Sequence, residues 1–290
     1  MFRYVLFGIC KLLVVVLAGN LLAISLLSRT HASGRDTEAA GFVGFDRNAY
    51  PGDGALEILR KNFAFASYWL SPPPGEKVNT WRGKRELLRS HGFGFIVLYS
   101  GPDSRHLKSV PAAEQKGEAD ARDAAISART EGFAAQTLIF LDIEEGGRLP
   151  EAYHAYLRAW SDELLRRGFR AGVYCSGMAV SEGGGVTIVT SDDIRGNIGS
   201  REMVYWIYND ACPPAPGCGI SRNIPKPSAG GVPYAEVWQI SQSPRRKEFT
   251  AKCAATYHID GNCYAPEDAA HLWFLDIDVA NSDDPSGGKK

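Results

Sequence analysis

Residues 138–145 read LIFLDIEE. The apolar, β-branched part has the composition of a strand buried on both faces, yet it ends in Asp142, Glu144 and Glu145. Burying one carboxylate is costly, and two side by side repel. Side chains alternate along a strand, so Asp142 and Glu144 share one face with Cα atoms about 6.6–6.8 Å apart, while Leu141 and Ile143 face the other way. Repulsion in such a pair raises the proton affinity of one member, which suits a general acid beside a charged partner. Other apolar runs also carry acids: Asp46 closes GFVGFD (41–46), and Asp276 and Asp278 lie in LWFLDIDVA (272–280). Aromatic and amide side chains stand near the ends of further runs: Tyr68 and Trp69, Tyr99, Tyr174, Tyr205 with Trp206 and Tyr208, then Trp238 and Gln239. Rings stack on the apolar faces of pyranoses, and carboxylates and amides bind hydroxyls, so the set fits a sugar. Any one of these rings taken alone fits a core position better.

An alternation of strands and helices must position these groups. Strand-like runs occupy 41–46, 63–70, 93–101, 137–145 and 170–177, with helical patterns over 54–62, 80–92, 117–132 and 150–168 between them. The 150–168 segment carries Tyr153, Leu157, Trp160 and Leu164 at helical spacing, opens on Pro150 and stops at Gly168. The alternation then weakens, and 203–210, 235–241 and 272–280 read as three more strands. About eight strands over ~250 residues predict an α/β chain folded as a (β/α)8 TIM-like barrel, with irregular or missing helices in the last third. In such a barrel the C-terminal strand ends form the active-site face. An open doubly wound sheet would need a phosphate-binding turn after the first strand. GFDRNAYPGDG lacks that glycine spacing, and EGGGV (182–186) reads as a flexible loop.

The formal net charge of -1 argues against a nucleic-acid partner. The N-terminal stretch has Arg3, a long apolar run and Ala32 in THAS, a pattern expected of a secretory signal peptide or, if uncleaved, a membrane anchor. The organisation expected is a signal segment at 1–32, a linker at 33–40, the barrel at 41–285 and a polar tail at 286–290. Secreted or periplasmic localisation follows, with the membrane a partner only if the N-terminal segment stays uncleaved. Cys212 and Cys218 bracket PPAPG, and Cys253 and Cys263 bracket AATYHIDGN, so both pairs are placed to close short disulfide loops in an oxidising compartment. A zinc site is the alternative for these four, but their spacings form no CxxC knuckle. Cys175 reads as a small core residue, and His154 as a surface or packing residue. The chain has no HExxH, GxSxG or GxxxxGK[ST] motif. No cofactor and no metal are expected, although Asp46, Asp142, Glu144 and Asp278 at one mouth are groups that a hard cation could use.

The order GFD, LDIEE, RAGVYCSG and VWQIS resembles the barrel of glycoside hydrolase family 25, the Chalaropsis-type lysozymes. It is still more similar to the bacterial glycoside hydrolase-like domain of unknown function related to that family, through GFDRNAYP, GEADARDAAISA and LDIDVANSDDPS. The resemblance covers about residues 41–285. It implies Glu144 as proton donor, with Asp142, Asp46 and Asp278 (or Asp276) completing a catalytic ring of acids. Asp142 would stay ionised, or would orient a substrate N-acetyl group. Tyr68, Tyr99, Tyr174, Trp206, Trp238, Gln239 and Asp276 are the expected sugar-binding groups. The implied partner is peptidoglycan or another polysaccharide, cleaved by general acid catalysis. A non-catalytic barrel that binds carbohydrate or cell envelope is the alternative. The Pro-rich segment 209–233 departs from the lysozyme pattern and leaves the substrate open.

Overall fold

A computed structural model describes residues 41–212, 224–242, 273 and 275–290, with side chains given up to residue 209 in the first of these segments. Eight strands close into a barrel in the order β1, β10, β9, β8, β5, β4, β3, β2. They are β1 (Phe42–Asp46), β2 (Phe65–Trp69), β3 (Gly94–Ser100), β4 (Leu138–Asp142), β5 (Arg170–Ser176), β8 (Val204–Cys212), β9 (Ala235–Ser241) and β10 (Asp276–Ala280). Each coincides with a run expected to be a strand.

The barrel is mixed. Strands β1 to β5, β8 and β9 run parallel, but β10 is antiparallel to both β9 and β1. The all-parallel (β/α)8 expectation is corrected here. Period-2 alternation reports which face a residue takes, not which way the strand runs. An antiparallel strand also needs no crossover helix, because the chain returns from the end it has just reached. Asp276 and Asp278 are therefore at the beginning of their strand and still lie at the end of the barrel that holds Asp46.

Five helices are described: α1 (Leu56–Arg60), α2 (Arg85–Ser90), α3 (Val110–Thr130), α4 (Glu151–Arg166) and α5 (Thr190–Asn197). Helix α3 begins seven residues before the expected start at Gly117. Ser109 caps it by accepting from the Ala112 N–H, and Pro111 fits the first turn. Gly117 does not break α3. It sits where α4 comes closest, and a Cβ there would lie 2.4 Å from the Tyr156 carbonyl oxygen. Between β5 and β8 the chain forms a hairpin, β6 (Ala179–Gly183) with β7 (Val186–Val189), followed by α5. The glycines of EGGGV form its turn, with Gly183, Gly184 and Gly185 all at positive φ. A structured hairpin thus replaces the flexible loop expected there.

The core fills the barrel and the layer beneath the helices. Phe140 projects inward and meets Trp206 at 5.8 Å, and only glycine fits at Gly172 beside it, since a Cβ would lie 2.6 Å from the Phe140 ring. The segment after β10 packs rather than trails. Ser286 is buried, its N–H donates to Phe95 O and its carbonyl accepts from Leu138 N–H. The Asp284 carboxylate accepts from the N–H groups of Phe95, Gly288 and Lys289. Buried Arg85 donates to the carbonyls of Gly288 and Lys290. These bonds stitch the start of β3 to the start of β4.

Candidate functional site

The acids of β1, β4 and β10 meet at one barrel mouth. Asp46 and Asp276 are register partners, and Asp278 pairs with Gly44 on one side and Gln239 on the other. The register of β10 on β9 shifts between Ile277 and Asp278. Asp142 ends β4. Its strand geometry continues one residue further, because the Ile143 N–H donates to Tyr174 O at 2.9 Å. The alternation therefore carries Glu144 to the same side, at the exposed rim. Tyr174 on β5 lies among them. Burial pushes its phenol well above the ordinary value, and Asp46, Glu144, Asp142 and Asp276 push it further. One hydroxyl feels four acids drawn from three strands.

Polar bonds lock much of this layer. The Tyr174 hydroxyl donates to Gln239 Oε1 at 2.9 Å, and Gln242 donates to the same oxygen at 3.2 Å. The Gln239 amide N–H donates to Asp46 Oδ2 at 2.8 Å, and the Trp206 indole N–H to Asp278 Oδ1 at 3.0 Å. Trp206, Gln239 and Tyr174, expected as sugar-binding groups, are thus buried and engaged with one another and with the acids. Asp278 is fully buried, and its carboxyl is raised well above the ordinary range by burial first and then by Asp46 and Asp276. The Asp142 carboxyl is likewise raised, by burial first, then by Glu144 and Asp46, and its Oδ2 is buried with no hydrogen-bond partner. An ionised Asp142 was expected; in the structure, desolvation drives it toward its neutral form.

Three expected sugar contacts face the other way. The Tyr68 hydroxyl bonds to Glu131 just past the end of α3, and its ring packs on Trp81, Phe95 and Phe133. Tyr99 donates to Asp123 of α3 at 2.9 Å and lies against Trp160 of α4. Trp238 packs under the short turn Pro227–Gly230, next to Gly230. All three belong to the helix-facing side. Alternation explains this: with Asp142, Tyr174, Trp206 and Gln239 pointing inward, the inward residues of β2 are Ser67 and Trp69, not Tyr68. Trp69 stands at the mouth, its indole N–H donating to Arg47 O at 3.1 Å. Tyr208 lies against Tyr174 at 5.4 Å. The register decides both rings: Trp69 pairs with Leu98 and Leu98 with Phe140 on the face of Asp142, and Tyr208 pairs with Gln239.

Cys175 is buried and its thiol is raised by burial, in keeping with a core role. Cys218, Cys253 and Cys263, the Cys212 side chain, and the segment 1–40 lie outside the described residues, so the disulfide and signal-segment expectations fall there too. Among the described residues no helix is long and apolar enough to cross a membrane. Among them, too, no group of three or more His, Cys, Asp or Glu is disposed to hold a metal ion. His154 is buried and bonds Asp193 through Nε2 at 2.8 Å, a packing role within α4 and α5.

A closed α/β barrel with an acid-lined mouth defines the class: a glycoside hydrolase-like barrel. Residues 74–251 match the Rv2525c-like, glycoside hydrolase-like domain. The chain belongs to that family. No curated protein matches the sequence. Among solved structures, an uncharacterized B. stearothermophilus protein superposes with TM-score 0.54 at 19% identity, covering 83% of this chain and 96% of that one. The Mycobacterium tuberculosis Tat-secreted protein Rv2525c, in complex with L-tartrate, gives 0.50 at 15% identity, with 83% and 96% covered. A glycosyl hydrolase 25 of Streptococcus pneumoniae gives 0.48 at 13% identity, with 82% and 86% covered.

Proposed function

We propose that this chain is an extracytoplasmic glycosidase that hydrolyses a glycosidic bond of peptidoglycan or another polysaccharide, with Glu144 as general acid. The observation that carries the reading is the gathering of Asp46, Asp142, Glu144 and Asp276 at one barrel mouth, where Asp46 pairs with Asp276 and Asp142 with Tyr174. Glu144 stands at the exposed rim, where a leaving glycosidic oxygen can reach it. Asp142, buried beneath it and pushed toward neutrality, is suited to donate a hydrogen bond to Glu144 or to a substrate N-acetyl carbonyl. Asp46 and Asp278 supply the far side of the ring of acids. Trp69 and Tyr208 replace Tyr68, Tyr99 and Trp238 as the rings nearest the cleft.

Incubating the purified protein with peptidoglycan and a glycan panel, and counting new reducing ends, tests the activity. A positioned acid is typically worth about 10²–10⁴-fold, so Glu144→Gln should lower kcat by about that range while glycan binding persists. An active enzyme whose Glu144→Gln variant turns over at the parental rate would refute the assignment. Glycan binding without cleavage by the parent would favour the non-catalytic barrel. Export carries its own check. The mature chain should begin near Ser33, with Cys212 bonded to Cys218 and Cys253 to Cys263. Intact mass of exported protein with these four thiols free would sink the pairing.

A further inference from the structure

Gln239 and Trp206 direct their polar atoms at two carboxyls. Gln239 is placed with its Oε1 accepting from Tyr174 and Gln242 and its amide N–H facing Asp46. An indole N–H can only donate, so Trp206 fixes Asp278 as the acceptor. One oxygen of each acid, Asp46 Oδ2 and Asp278 Oδ1, thus ends on a neutral donor held two strands away, on β9 for Asp46 and on β8 for Asp278. The other oxygen of Asp278, Oδ2, is fully buried and receives no N–H. Asp46 is paired with Asp276 and Asp278 with Gly44, so Asp46 and Asp278 are diagonal neighbours on one face of the β1/β10 pair. Two anions facing each other in this desolvated layer would repel strongly, whereas one proton between them turns repulsion into an O–H···O bond.

We propose that Gln239 and Trp206 are positioning residues that hold Asp46 and Asp278 as a carboxylate–carboxylic acid pair sharing one proton, with Asp278 carrying it. Asp46 then meets the cleft as an oriented anion, while the acid beneath it stays neutral. The groups facing the pair fit this assignment. Asp276 on β10 adds a further negative charge beside Asp278, and Asp142 on β4 acts on Asp46. Tyr174 on β5 keeps its proton, Glu144 lies toward the rim, and Arg47 follows Asp46 in the chain. Burial and both neighbouring aspartates raise the Asp278 carboxyl, and the Trp206 N–H opposes them. The inference deepens the glycosidase reading and rests on it for the use made of the anion. The existence of the pair requires no turnover.

The test is a carboxyl carbon NMR titration of the protein, with each aspartate Cγ assigned through its own Cβ protons. Asp278 should remain protonated at neutral pH while Asp46 is ionised. Asp46→Asn removes the facing charge and should lower the Asp278 midpoint by at least about one pH unit, tenfold in proton affinity. Trp206→Phe removes a donor to the anion and should raise the Asp278 midpoint. Gln239→Leu should raise the Asp46 midpoint and draw the proton toward Asp46. An ionised Asp278 at neutral pH in the parent overturns the proposal whether or not any variant folds. So do midpoints that ignore the partner's replacement. Neither result depends on hydrolysis: an inactive protein can still carry the pair, and an active one can lack it.

Discussion

Asp142 concentrates the electrostatic conflict of the mouth in one side chain. It is buried, one oxygen has no hydrogen-bond partner, and Glu144 and Asp46 stand close enough to act on it. In the unfolded chain it titrates near the ordinary aspartate value of 3.8, and in the fold it keeps its proton to higher pH. Between those two points the folded state binds the extra proton, so this group's contribution to stability is complete below about pH 4 and is lost as pH rises through the folded value. Asp142→Asn is nearly isosteric and has nothing to ionise. It should therefore melt higher than the parent at pH 8 by a few degrees, where about 2–4 °C corresponds to ~1 kcal/mol in a domain of this size. At pH 4 the two should melt together. Thermal unfolding at both pH values checks this, and an Asn variant less stable at pH 8 would mean that Asp142 is ionised and satisfied.

At the scale of elements, the contact between α3 and α4 is built from small residues. Ala113, Gly117, Ala121, Ala124, Ala125 and Ala128 form the buried face of α3, and Gly117 lets the α4 backbone approach. Gly117→Ala improves helix propensity by up to ~1 kcal/mol. Its new methyl would nonetheless stand 2.4 Å from Tyr156 O, an atom that cannot rotate away. The expected result is a net loss of about 1–3 kcal/mol, the usual range for overpacking, read from denaturant midpoints. A stabilised variant would mean that the helices separate at little cost. That separation would also disturb the Tyr156 hydroxyl's bond to Asp120, which lies within the same contact.

Across the whole molecule, closure depends on residues far apart in the chain. Residues 286–290, expected to be a polar tail, lie with Asp284 against the opening strands of the barrel, 189 positions from Phe95 in sequence. Asp284→Ala removes a carboxylate that caps three backbone N–H groups, one of them at the start of β3. Hydrogen bonds to a charged group are worth about 1.5–3 kcal/mol, so the variant should lose at least that much stability. Arg85→Met, which releases the carbonyls of Gly288 and Lys290, should act in the same direction. Amide hydrogen exchange at Phe95, Val97 and Leu138 checks the location. Faster exchange there, with the mouth residues unchanged, is the expected pattern. Unaltered exchange at all three would show that the segment carries no load.

The sequence by itself determined the eight strands, the C-terminal ends of α1 to α4 and the acids near the strand ends. These are local properties: alternation, capping residues and glycine stops act over a few positions, and a carboxylate at the end of an apolar run is visible without its neighbours. Parity was legible only within each run: that Trp69 rather than Tyr68 shares the inward face with Asp142 follows from the register of β2 on β3 and of β3 on β4, which the sequence does not carry. Only the tertiary structure decided the rest. A strand reads alike in both directions, so the reversal of β10 became evident through its pairing with β1 and β9. Desolvation likewise depends on what surrounds a group, and no spacing along the chain reveals that Asp142 is the buried carboxyl while Glu144 stays at the rim. Nor does sequence disclose that Gln239 and Trp206 spend their donors on Asp46 and Asp278, because those bonds cross the barrel interior between strands that are not neighbours, β9 to β1 and β8 to β10.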